Sequence, residues 1–327
     1  MANKLKGAVA VITGASSGIG RATALAFAAR GTSVVVAARR ESALRTLVAE
    51  IERTGGKALA VATDATDEKA VQRLAQRAVQ QFGKIDIWVN NAGVILYGPF
   101  TETPLEDYRR VMETNFFGCV NGSRAALTVF QKQGNGTLIN LSSMVTRLPQ
   151  PYASAYVASK HAVHALGMCL RQELLLAKAK DIHVVNVLPA AIDTPLFQHG
   201  GNYTGRKPQP PPPVYDVDVV AGAILKAATN PKRDIYAGRA GMLVNLQSKF
   251  APGMVEKSAA TLVDKGGFED TPAEPTSGNL FAPMTTGSGT SGGWKPSGSS
   301  PVKRLAKAGA VALPAIALAR RFLQRTA

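Results

Sequence analysis

The sequence predicts an α/β fold: a doubly wound parallel sheet between two helical layers, followed by a C-terminal extension. Three observations carry this. Apolar runs of five to seven residues alternate with helix-period segments, a glycine-rich turn follows directly on the first run, and the alternation stops near Gly238. Strands buried on both faces read as continuous apolar runs, and joining them in parallel requires helical crossovers.

The first strand is VAVIT (9–13). The lysines ahead of it and the apolar run of about six residues are too short for a signal peptide. TGASSGIG then opens the helix RATALAFAAR. Further strands are expected at SVVVAA (33–38), ALAVAT (58–63), IDIWVN (85–90), TLINLS (137–142), IHVVNVL (182–188) and DIYAG (234–238). Longer helical patterns lie at EDYRRVMETNFFGCVNGSRAALTVF and YVASKHAVHALGMCLRQELLLA. The domain therefore spans 1–240. A helical extension is expected over 241–266, a flexible Gly/Ser/Thr/Pro linker over 267–301 with Phe268, Leu280, Phe281 and Trp294 available to dock parts of it on the domain, and a basic, apolar helix over 302–327.

The net charge is +16, but Lys303, Arg304, Lys307, Arg320, Arg321 and Arg325 supply over a third of it in a tail without acids. The charge thus argues for no nucleic-acid groove, and no nucleic-acid motif is present. Cys119 and Cys169 fall in separate helical patterns and suit a reducing compartment, so a cytoplasmic location is expected. No run of eighteen apolar residues occurs.

TGASSGIG lies between a strand and a helix, where backbone N–H groups and a positive helix end can meet a pyrophosphate. Gly14, Ser16, Ser17, Gly18, Ile19 and Gly20 are its contact residues. Where the second strand ends, a carboxylate would accept from a ribose 2′-hydroxyl, whereas arginine grips a 2′-phosphate. Here Ala38 is followed by Arg39 and Arg40, which favours NADP over NAD.

In YVASK, Tyr156 and Lys160 stand one helical turn apart on a common face. A fixed cation favours the phenolate, and moving a tyrosine from pH 10 to about 7 needs roughly 4 kcal/mol of differential stabilisation. An isolated YxxxK is usually an ordinary exposed pair, so its weight comes from context.

That context resembles the short-chain dehydrogenase/reductase family over about residues 5–240. TGASSGIG, Asp64, NNAG (Asn90–Gly93), Asn115, Ser143 and YVASK occur in family order. The resemblance implies a Rossmann-type, three-layer fold and hydride transfer between NAD(P) and an alcohol/ketone or aldehyde pair. It implies Asn115, Ser143, Tyr156 and Lys160 as catalytic. Ser143, thirteen residues before Tyr156, would bond the carbonyl oxygen. Tyr156 would exchange its proton, Lys160 would lower the tyrosine's pKa and hold the nicotinamide ribose, and Asn115 would position a water. Further cofactor contacts carried over are Asp64 and Ala65 at the adenine, Asn91, Ala92 and Gly93, and Pro189, Ile192 and Thr194 near the nicotinamide. Ala190 departs from the family's usual Pro-Gly and is expected to narrow that pocket. A homodimer or homotetramer is implied, as the family pairs the helices carrying Asn115 and Tyr156.

No metal is expected: His161 and His164 are three apart, but no ligand cluster accompanies them. The substrate is expected beside the loop Pro195–Tyr215, with Gly200, Gly201 and Gly205 making its first half mobile and prolines stiffening its second. Leu148, Tyr152, Leu196 and Phe197 suggest an apolar carbonyl or alcohol. The tail suits lying on an anionic membrane surface as well as packing on the enzyme or a partner. The other reading is a non-catalytic nucleotide sensor or scaffold on the same fold.

Overall fold

A computed structural model describes residues 4–238 and 252–294. In chain order the elements are β1 (Val9–Thr13), α1 (Gly18–Ala28), β2 (Ser33–Ala38), α2 (Glu41–Arg53), β3 (Ala58–Ala62), α3 (Glu68–Phe82), β4 (Ile87–Asn90) and β5 (Leu96–Tyr97). Then come α4 (Leu105–Met112), a π-turn (Glu113–Phe117), α5 (Gly118–Gln133), β6 (Gly136–Leu141), α6 (Ser154–Leu176), β7 (Ile182–Pro189), a one-turn α7 (Leu196–His199), β8 (Gly201–Asn202) and β9 (Arg206–Pro208). The last are α8 (Val217–Thr229), β10 (Asp234–Ala237), α9 (Pro252–Gly266) and β11 (Phe268–Pro272).

Seven parallel strands form one sheet in the order β10-β7-β6-β4-β1-β2-β3. These are the seven strands that the apolar runs predict. Neighbouring residues of one strand face opposite layers. Ile12, Val34 and Val36 pack with Phe27, Leu44, Leu47 and Ile224 of α1, α2 and α8. Val11, Val35 and Trp88 pack with Leu74 of α3 and Phe130 of α5. Strand order reverses at β1, where β2 and β4 lie on opposite sides. A crevice therefore opens beyond the strands' carboxyl ends.

The centre of the sheet holds a buried polar network. Asn90 accepts from the Trp88 indole at 2.8 Å, and its amide nitrogen donates to Asn140 Oδ1 at 2.9 Å and Ser123 Oγ at 3.1 Å. A Cβ on Gly122 would overlap Asn90 Oδ1, so α5 can approach β4 this closely only through a bare glycine. Gly122→Ala should cost about 1–3 kcal/mol by forcing this close-packed contact apart, read as a lower urea midpoint at unchanged m.

Two regions differ from expectation. Residues 267–294, within the expected linker, dock more extensively than composition suggests: β11 pairs antiparallel with β9, and Leu280 is fully buried. Backbone carbonyls do much of this holding, and they are present whatever the composition. The first half of the 195–215 loop is also held. Leu96 and Tyr97 of β5 pair with Gly201 and Asn202, and the Asn202 N–H donates to Thr276 at 2.7 Å. The helix expected over 241–266 is described from Pro252 onward. The expected tail helix, 302–327, lies outside the described residues.

Candidate active site

The turn after β1 is shaped by Gly14, at φ +66°, whose added Cβ would stand 2.7 Å from Ala92 Cα. Only glycine accepts both the conformation and the approach. Asn91 bolts this turn to β4: its amide nitrogen donates to the carbonyls of Thr13 at 2.9 Å and Gly14 at 3.1 Å. The Thr13 hydroxyl accepts from the N–H groups of Asn91 and Ala92. The bare glycine edge and the start of α1 leave a cradle suited to a pyrophosphate.

A cavity of about 410 Å3 runs from Ala38, Thr63 and Ala65, past Gly14, Ser16, Ser17, Gly18 and Ile19, to Ser143, Tyr156 and Lys160. Arg39, Arg40, Asn91, Ala92, Gly93, Pro189, Ile192 and Thr194 also line it. Gly20 lies just behind, where a Cβ would overlap the Gly14 carbonyl. In the cavity wall Arg40 Nε is buried without a partner. A donor waiting there and the Cβ-free cradle fit a dinucleotide's phosphates and ribose.

Asp64, expected at the adenine, is not among the residues lining the cavity. Its Oδ1 accepts from the N–H and hydroxyl of Thr66, at 3.0 and 2.9 Å, and its Oδ2 pairs with Arg110 at 3.1 Å. Burial pushes this carboxyl up, but the Thr66 bonds and the Arg110 guanidinium outweigh it and hold the group below the usual range. The cavity wall is left to Thr63 and Ala65.

At the other end, the two adjacent serines are separated by their bonds. Ser142 Oγ donates to the Lys160 carbonyl at 3.1 Å, fastening β6 to α6. Ser143 Oγ accepts from the Val145 N–H at 3.2 Å, and the residue lines the cavity together with Tyr156. Asn115 sits in the π-turn. Its side chain exchanges two bonds with the Val94 peptide, at 2.8 and 3.0 Å, and donates to Ser159 Oγ at 2.9 Å. Its side chain therefore ties β4's exit to α6.

Lys160 is buried, and its Nζ donates to the Leu141 carbonyl at 2.8 Å while standing 5.6 Å from the Tyr156 ring centre. Burial pushes this ammonium down to about 8. Burial also pushes the Tyr156 phenol up to about 12, with nearby Ser143 acting against it. In the free protein desolvation is thus the leading influence on the tyrosine, and it opposes the lowering expected from Lys160.

Ala190 does not narrow the pocket alone. A Cβ on Gly238 would stand 2.8 Å from the Ala190 Cβ, so the methyl packs where Gly238, at φ +117°, has no side chain. His164 Nε2 lies 3.1 Å from both Asp234 Oδ2 and Arg147 Nη2. His161 Nδ1 lies 2.9 Å from the Val157 carbonyl.

Leu148, Leu196 and Phe197 line the same cavity, whereas Tyr152 does not and packs edge-on to Phe268 at 5.7 Å. Ala259, Leu262 and Val263 of α9 and Pro211, Pro212 and Pro213 complete this wall. The sequence reading missed the α9 residues, although the spacing of Ala259, Leu262 and Val263 marks one helical face. It also missed Arg110, which no local pattern distinguishes.

The short chain dehydrogenase family model matches residues 8–202. The uncharacterized oxidoreductase YxnA of Bacillus subtilis is 36% identical over 89% of this chain and 83% of its own length. Among solved structures, a short chain dehydrogenase/reductase from Burkholderia phymatum in complex with NAD has a TM-score of 0.70 at 26% identity. That match covers 84% of this chain and 99% of the other. An alcohol dehydrogenase from the archaeon Thermococcus sibiricus, complexed with 5-hydroxy-NADP, has a TM-score of 0.60 at 26% identity, over 70% and 94%.

Proposed function

Because the chain belongs to the short chain dehydrogenase family, and is thus an oxidoreductase, we propose that it interconverts an apolar alcohol and its ketone or aldehyde with NADP. The observation that carries this is one cavity joining the glycine-rich turn to Ser143, Tyr156 and Lys160. The dinucleotide supplies or accepts the hydride. Ser143 donates to the carbonyl oxygen, and Tyr156, protonated at neutral pH, gives that oxygen its proton. Lys160 orients the cofactor end and, through its charge, eases the phenolate left behind. Asn115 keeps Gly93 and Val94 in register with α6, beside the proton path from Lys160. Leu148, Leu196, Phe197 and Val263 support an apolar substrate.

The test is NADPH oxidation with a panel of hydrophobic aldehydes, ketones and steroids. Turnover of at least one class is expected, and none with any class rejects the enzyme reading in favour of a nucleotide sensor or scaffold. Arg39 and Arg40, at the end of β2, support NADP; in the free protein both hold carbonyls of residues 279–287, which a 2′-phosphate would displace. Arg39→Ala should raise the ratio of the NADPH to the NADH Kd about tenfold or more, since charge-assisted bonds contribute about 1.5–3 kcal/mol. An unchanged ratio would show that the 2′-phosphate is read elsewhere.

Exposed Phe117, Met168, Leu175 and Leu176 follow Asn115 and Tyr156 on their helical segments and support a homodimer or homotetramer. Sedimentation velocity tests it. Among the described residues no helix is long and apolar enough to cross a membrane. The basic segment 302–327 supports peripheral attachment of a cytoplasmic enzyme.

A further inference from the structure

The crevice that holds the dinucleotide under the reading above is bridged from lip to lip by the chain's own C-terminal segment. On one lip, the Gly18 N–H at the start of α1 donates to the Gly289 carbonyl at 2.9 Å. Arg39 donates to the carbonyls of Asn279, Leu280 and Phe281 at 2.6–3.1 Å, and Arg40 to those of Met284, Thr286 and Gly287 at 2.6–3.3 Å. Arg110 Nε adds a bond to the Leu280 carbonyl at 3.0 Å. On the other lip, Asp193 accepts from Ser291 Oγ at 2.7 Å and from the N–H groups of Gly292 and Trp294 at 2.9 and 3.0 Å. The Trp294 indole donates to the Thr194 carbonyl at 3.1 Å.

Between its anchors the segment shares the cavity wall, and at one of them it takes the Gly18 N–H that a pyrophosphate would otherwise meet. Asn279, Pro283 and Met284 line the space from above, while Ala38, Thr63 and Ala65 still line it from below. Two buried atoms in this wall have no partner, the Arg40 Nε donor and the Asn279 Oδ1 acceptor. A ribose bearing hydroxyl and phosphate groups carries both complements. One apolar plug fixes the segment: Leu280 is fully buried among Val94, Leu96, Val111 and Ala155. Beyond Leu280, on the crevice lip, it is held mostly by carbonyls, which can be released without disturbing the core.

We propose that residues 277–294 are a strap that must open for the dinucleotide to enter and leave, and that closes over the adenosine and pyrophosphate portions once they are bound. Asn279 is then a cofactor contact contributed from outside the sheet domain. The inference rests on the crevice being the dinucleotide site.

Stopped-flow binding and release of NADPH and NADH by the full chain tests it, alongside hydrogen exchange of the strap. Leu280→Ala withdraws the plug and should speed release about tenfold or more. Ser291→Ala removes one bond to Asp193 at an exposed position, leaves the core intact and should speed release about threefold. Saturating cofactor should slow exchange across 277–294. Release rates within twofold of the parent in both variants, with binding intact, overturn the strap. Faster exchange on cofactor addition also overturns it, marking the segment as a competitor that is expelled. Failure of either dinucleotide to bind overturns the cofactor reading and the strap together.

Discussion

Tyr156→Phe should lower kcat for carbonyl reduction about 10³-fold while leaving the cofactor Kd within about twofold. The substitution removes one oxygen and keeps the ring. The ring supplies packing in the wall shared with Ile95, Tyr97 and Phe197, whereas the hydroxyl alone can deliver a proton. In the free protein that hydroxyl is a weak acid held protonated, because burial pushes it up to about 12. The acid form is therefore fully present at neutral pH, and reduction needs no prior protonation. Alcohol oxidation needs the opposite form, and its rate should climb with pH wherever the phenol is the titrating group. Single-turnover NADPH oxidation with saturating substrate checks the first statement. A kcat within tenfold of the parent would remove Tyr156 from the proton path and leave Ser143 to polarise the carbonyl alone.

Much of this site is legible in sequence because its parts are local. The seven strands announce themselves as apolar runs, Tyr156 and Lys160 are one turn apart on a single helix, and Gly14 to Gly20 share one turn. The choice of Ser143 over Ser142 comes from the family resemblance, and the bonds to Val145 and Lys160 agree with it physically. What escapes depends on partners distant in the chain. Arg39 meets carbonyls some 240 residues away, and those carbonyls belong to a Gly/Ser/Thr/Pro stretch whose composition suggests looseness. Composition reports side chains, and the strap is held mainly by its backbone. The bonding of Asp64 escapes for a related reason. A carboxylate after β3 is visible, but its capture by Thr66 and Arg110 depends on where α4 is laid down. Desolvation of the tyrosine also escapes the sequence, because helical spacing reports proximity and says nothing of burial.

Replacing Lys160 by Met should stabilise the folded protein at pH 7, and the advantage should disappear by about pH 10.5. An ammonium in the interior carries its desolvation cost at every pH where it stays charged. Here the folded-state value falls from 10.5 to about 8, so between these limits the unfolded chain binds more protons than the folded one. Stability then rises with pH across that window, and conversely the full cost is present below about pH 8. The difference of about 2.5 pH units corresponds to roughly 3 kcal/mol. Urea midpoints of both forms at pH 7, 8.5 and 10 give the quantity directly. At pH 7 and 8.5 Tyr156 is protonated in both forms, so its own titration, which weakens the fold above about pH 10, does not enter the comparison there. The same variant should lose about 10²-fold in kcat, because the neutral thioether can neither hold a ribose hydroxyl by charge nor ease a phenolate. A pH-independent stability difference would mean that the amine is already neutral or well solvated in the fold. The protein keeps a charged group where an apolar one would be more stable, as expected of a residue retained for chemistry.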